Sequence, residues 1–191
     1  MKGDQFQRIF GEVLFPLIGI LFWDWTLDFV CWFYCIDQLV KLCFLPFSSP
    51  KENKSVKSSV LGISLLLLCE VVLIICIIFL TSPDLSMSFK AFFFFKDIGM
   101  SQGYFLIPLV VLGEFMKLKM DQKQKLGSQK RIEDRIKLKE LTLIKICLWG
   151  LFITILRFDW VQYPFLRYFL IGFLALSHLL FALRNRFFSR K

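Results

Sequence analysis

Histidine is nearly missing from this chain: His178 is the only one in 191 residues. That excludes His-rich metal sites and the paired histidines of an H-E-x-x-H zinc helix. No CxxC pair occurs among the six cysteines, which removes thioredoxin-like redox chemistry and zinc ribbons. The phosphate-cradling G-x-x-x-x-G-K-[ST] loop is missing too. Alanine is scarce, three residues against 24 phenylalanines, so helix packing has to be bulky and aromatic. Nothing asks for a cofactor, and no metal set is apparent. The net charge of +9 comes without any basic module of a nucleic-acid-binding type, so no nucleic-acid partner is expected.

What the chain has instead is long apolar runs. Hydrophobic residues make up 57% and mean hydropathy is +0.63, where soluble domains are nearer half apolar. A helix needs about 20 apolar residues to cross a hydrocarbon core of about 30 Å. Six segments reach or approach that: 9–23, 26–45, 59–81, 104–116, 141–156 and 164–183. Lys2 and Arg8 precede the first, as in a secretory signal, but Glu12 and Pro16 interrupt the run and no small-x-small site follows. It reads as a retained helix. The segment from Phe89 to Gly99, with Phe92 to Phe95 at its centre, is too short to span. It reads as an outer-interface helix or as the first turns of the fourth span.

With the N-terminus placed inside, 20 of the 24 lysines and arginines fall on the inner side. Only Lys90, Lys96, Arg157 and Arg167 fall outside. Such an asymmetry sets topology through the retention of basic loops. The sequence therefore predicts an all-α fold, one polytopic integral membrane helix bundle over residues 1–191. It has six transmembrane helices, N-in and C-in, in the cell membrane, with a basic cytoplasmic loop at 117–140. Its expected partners are the bilayer and, at that loop, anionic lipid headgroups.

Ionisable groups inside the spans are the candidate site, because each costs about 2.5–3.5 kcal/mol at a helix centre and so needs a partner. Glu70 stands between Leu65–Leu68 and Val71–Ile74, with no cation in its own helix. Lys145, a few residues inside the fifth run, reads as snorkelling to the inner interface, the alternative being a salt bridge to Asp37 or Glu70. Asp37 has Tyr34 three residues before it and Lys41 four after, with Gln38 beside them, a polar stripe running toward the cytoplasm. His178 lies in the inner third of the last span, eleven residues after Arg167. The six cysteines read as reduced core residues, and Trp23 and Trp25 as interface anchors.

The opening hairpin combines a Pro-x-x-Gly helix (Pro16, Gly19), an aromatic turn (Trp23, Trp25) and Tyr34-Cys35-Ile36-Asp37-Gln38. With the Phe-rich stretch from Phe93 to Gly99, it resembles a family of small uncharacterised prokaryotic polytopic membrane proteins. That family has a histidine where Asp97 stands. The resemblance implies a prokaryotic multi-pass topology, singles out Asp37 and assigns no activity. Three functions stay open. They are a non-enzymatic accessory or interaction protein of the membrane, a small transporter or channel using intramembrane carboxylates, and a membrane-embedded enzyme.

Overall fold

In an apolar surrounding a backbone can satisfy its N–H and C=O groups only along its own helix, or in a closed barrel. The computed structural model describes residues 13–48, 54–82, 84–94, 102–123, 128–157 and 163–188. Among these residues there are seven α-helices and no strand. They are α1 (Phe15–Trp23), α2 (Leu27–Phe44), α3 (Lys54–Thr81), α4 (Leu85–Phe94), α5 (Gln102–Lys123), α6 (Ser128–Arg157) and α7 (Tyr163–Phe188). A 3₁₀ turn, Pro46–Ser48, follows α2. One helix segment, Val60–Thr81, is long and apolar enough by itself to cross a membrane, and Leu85–Phe94 and Tyr168–Phe181 are shorter apolar helices.

Local chemistry fixes the ends. Thr26 caps α2, its hydroxyl accepting from the Phe29 N–H at 3.3 Å, and Asp28 sits in the first turn where the helix dipole favours a carboxylate. Asp84 caps α4 by accepting from the N–H groups of Ser86 and Met87 at 2.9 and 3.1 Å. Phe92 to Phe94 therefore end a separate ten-residue helix that is distinct from α5. Residues 95–101 lie outside the described residues.

The turn between α1 and α2 closes on Asp24, whose left-handed backbone (φ 46°) is tolerated by a short polar side chain. The Trp25 N–H then bonds back to the Gly19 carbonyl at 3.2 Å. Trp25 is 0% exposed, not half wet as an interface anchor would be. Its ring lies over Gly19, where a Cβ would meet it at 2.3 Å. Around it stand Phe15, Phe29 and Phe33, with ring centroids 4.5–6.0 Å away.

Helix α2 occupies the centre, packing on α3, α4, α5 and α7. Helix α3 also packs on α6, α6 on α7, α7 on α1, and α4 on α5. The start of α2 meets the end of α3, because Asp28 accepts from the hydroxyls of Thr81 (2.7 Å) and Ser82. The other end of α2 meets the start of α3, because Leu45 packs with Ile63 and Leu67. The two are therefore antiparallel. The Trp32 indole donates to Ser88 at 3.0 Å and ties α4 to the same end as Asp28.

The basic segment 117–140 departs from expectation. Its described residues are helical, α5 running on to Lys123 and α6 beginning at Ser128. Lys, Glu, Gln and Leu are good helix formers whatever their polarity, so the helices outlast the apolar runs that revealed them. The same holds for α3, which begins at Lys54.

The Gly19–Trp25 contact gives a direct test. Gly19→Ala forces the fully buried indole to move and is expected to cost about 1–3 kcal/mol, read as a lowered unfolding midpoint in detergent micelles. Trp25→Leu in the same chain should recover part of that loss. A Gly19→Ala protein as stable as the parent would show that the close approach is not a constraint.

Candidate functional site

Helix α3 presents one narrow stripe to the other helices: Ile63, Leu67, Glu70, Val71, Ile74, Ile77 and Ile78, all buried. Their spacing of three and four is the helical repeat. Glu70 lies on that stripe, 1% exposed, and its Oε1 accepts from the indole Nε1 of Trp149 at 3.2 Å. Trp149 comes from the matching stripe of α6, formed by Leu141, Thr142, Lys145, Trp149 and Phe152.

Lys145 precedes Trp149 by one turn on that stripe and is 3% exposed. The snorkelling expectation fails, because this face of α6 points into the bundle and α3 and α7 cover it. Lys145 shares with Leu148, Trp149, Phe173, Leu174 and Ser177 the lining of a cavity of about 10 Å³ between α6 and α7. That is at the lower limit of room for one water molecule. Ser177 is fully buried and returns its hydroxyl to the Leu174 carbonyl at 2.7 Å. His178, next in the chain, is 9% exposed.

From α2 comes Gln38, 2% exposed. By helix rise it lies about 15 Å from Asp28, and Glu70 lies about 16 Å from Thr81, the partner of Asp28. Gln38 and Glu70 are thus at one depth on two packed helices. Among the described residues the Gln38 amide nitrogen has no hydrogen-bond partner. Tyr34, one turn from Gln38, sets its ring edge-on to Trp149 at 6.2 Å.

The structure thus places Gln38 and Glu70 at one depth on packed helices and sets Lys145 with Ser177 around one cavity; His178 is buried as well. Asp37 makes a 2.6 Å ion pair with Lys41 one turn along α2, each about one-seventh exposed. Glu114 on α5 likewise pairs locally, with Lys117 at 3.4 Å. The Arg167 side chain and Glu12 lie outside the described residues. Of the six cysteines, only Cys31 and Cys35 are buried; Cys43, Cys69, Cys76 and Cys147 are exposed. In a helix apolar on every side, small size does not imply an inward position.

Sequence reasoning missed two functional side chains. Trp149 read as one more apolar residue, although its position four after Lys145 places it on the same face. Asp28 was passed over because it stands near a helix start. Gly99-Met100-Ser101-Gln102-Gly103 spells G-x-S-x-G; residues 95–101, where a nucleophile elbow would have its turn and the strand entering it, lie outside the described residues. No group of three or more His, Cys, Asp or Glu side chains among the described residues is placed to hold a metal. No family model, curated protein or solved structure matches the chain.

The Glu70–Trp149 bond is open to a double-mutant cycle. Side-chain hydrogen bonds between membrane helices couple by about 0.6 kcal/mol on average and about 1.7 at most. A carboxylate acceptor belongs near the upper figure. Trp149→Phe and Glu70→Leu should each lower the unfolding midpoint followed by near-UV circular dichroism. Together they should cost about 1–1.7 kcal/mol less than their sum. Glu70→Gln keeps an acceptor oxygen and should be the mildest of the three. Strict additivity would mean that the bond contributes nothing.

Proposed function

We propose that this chain is a six-span, N-in and C-in protein of the cell membrane with a non-enzymatic, accessory or interaction role, its buried polar cluster serving to hold the helices in register. The observation that carries this reading is the outward face of α3. Leu61, Leu65, Leu68, Val72, Phe79 and Leu80 are exposed there, opposite a buried stripe no more apolar than they are. Val60–Thr81 has 22 residues, about 33 Å of helix. Only 39% of its apolar window is buried, whereas the core helix of a soluble protein is mostly buried. Exposed apolar residues continue on the other helices, among them Phe22, Phe105, Leu112, Leu151, Phe169 and Leu179. Soluble monomers rarely expose contiguous apolar patches beyond a few hundred Å². The antiparallel pairing of α2 with α3 agrees with alternating spans, and the basic ends of α5 and α6 with an inner position.

A second reading, a small transporter or channel, draws on the burial of Gln38, Glu70, Lys145 and His178 in one region of the bundle. Intramembrane ionisable groups mark ion and proton pathways in many membrane proteins. The two readings part on Glu70→Gln. In vesicles holding the purified protein, a proton or cation flux lost in a Glu70→Gln variant of unchanged stability belongs to the transporter. A flux no greater than that of empty vesicles belongs to the structural role.

The topology has its own test. Reporters fused after Lys191 and within the stretch from Gln122 to Gln129 should report the cytoplasm, and one at Asp84 the exterior. A cytoplasmic signal at Asp84 would sink the six-span arrangement.

A further inference from the structure

We propose that Lys117 and Lys119 of α5 with Lys137 and Lys139 of α6 form a binding rim for the phosphate headgroups of anionic lipids. The inference rests on the membrane reading above and moves the lipid contact from a loop to the shafts of two helices.

Both pairs lie at the same end of the bundle. Lys119 is about 26 Å along α5 from Gln102, and Lys139 about 27 Å along α6 from Arg157. Both distances approach the hydrocarbon thickness of about 30 Å. Four residues join the end of α5 to the start of α6, so both helices leave the bundle together.

Each pair also has apolar side chains at its own level or within a turn on the membrane side. Phe115 and Met116 are exposed just before Lys117, and Ile136 is exposed beside Lys137. The Lys119 ammonium lies 4.9 Å from the centre of the Phe115 ring, so charge and apolar surface form one patch. Leu138 packs against the cluster of Leu45, Ile63 and Leu67, which pins Lys137 and Lys139 at a set depth. Glu114 offsets part of the charge of Lys117 at 3.4 Å, and Glu140 follows Lys139 in the chain, so the four lysines exceed these two carboxylates by two charges.

The opposite end differs. Among the described residues its exposed charges, Asp24, Asp84, Lys90 and Arg157, balance in sign. A basic rim over an apolar band complements a phosphate joined to acyl chains, and the balanced end does not.

The test uses the full chain in phosphatidylcholine bilayers with spin-labelled phosphatidylglycerol or phosphatidylcholine as probe. The motionally restricted fraction of each probe gives their relative association. Basic residues near a membrane surface favour anionic lipid by an amount equal to about fivefold each. Phosphatidylglycerol should therefore be preferred at least about fivefold at low salt. The preference should collapse at 1 M salt, where screening acts over about 3 Å. Replacing all four with glutamine (K117Q, K119Q, K137Q, K139Q) should bring it near unity, and Lys90→Gln should leave it unchanged. Equal association of the two probes with the parent chain, or a preference kept by the fourfold variant, overturns the proposal. Both leaflets carry both probes, so inverted insertion gives the same result and the side of the membrane is judged by the reporters alone. A spectrum with no restricted component defeats the rim and the membrane reading together.

Discussion

A carboxylate halfway along an apolar helix has to be met by a polar group from another helix, and in this protein Glu70 is met by the indole of Trp149. The consequence reaches four helices. The bond sets α3 against α6 at one height and one rotation. The same indole stands edge-on to Tyr34 of α2 and to Phe152, which in turn meets Phe173 of α7. Lys145, a turn below, lines the α6–α7 cavity with Ser177. Lipid tails are as apolar as leucine, so burying leucine between helices brings little hydrophobic gain in a membrane. Hydrogen bonds and close packing then decide which faces meet.

One polar contact leaves a helix pair free to pivot about it. The second contact lies a helix half-length away, where Asp28 accepts from Thr81 and Ser82. Helix α2 is held to α3 there, and α3 to α6 at mid-depth, so neither sliding nor rotation of α3 is left open. Trp32 and Ser88 bring α4 into the same end. Phe92 then closes over Phe29, and the Gly103 backbone approaches so closely that a Cβ would lie 2.4 Å from the Phe92 carbonyl oxygen. Bulky rings fill the space between these helices, as three alanines among 24 phenylalanines imply.

The sequence revealed the helices through their apolar runs, and therefore only as far as those runs extend. The second run, 26–45, matches Leu27–Phe44 closely because Thr26 and Pro46 punctuate both ends. The fifth run, 141–156, is about half of Ser128–Arg157, because a charged helix has no hydropathy signal. Part of the candidate site was legible, since any ionisable group in an apolar run stands out. The ionisable Glu70, Lys145 and His178 stand out in this way, Gln38 by its polar amide, and all four are buried. What joins them was not legible. Trp149 hides its N–H within a hydrophobic residue, and the partnership of Asp28 with Thr81 spans 53 positions. Asp37 stands out by the same rule as Glu70, and it pairs with a cation of its own helix, Lys41.

The difference between those two carboxylates also answers a question that hydropathy cannot. Every residue of α3 from Leu65 to Leu80 except Glu70 is apolar. No amphipathic pattern tells which side is inward, and burial by the other helices follows a stripe whose only chemical distinction is the carboxylate. Rotating α3 by half a turn would expose Val71 and Ile74 in place of Val72 and Leu68, a change of almost no consequence in an apolar medium. The same rotation would take Glu70 away from the Trp149 indole, and a buried carboxyl group left without its hydrogen bond costs several kcal/mol. The inward face of α3 is therefore specified by Glu70 itself. The one side chain that departs from the apolar character of its helix is the one that orients it.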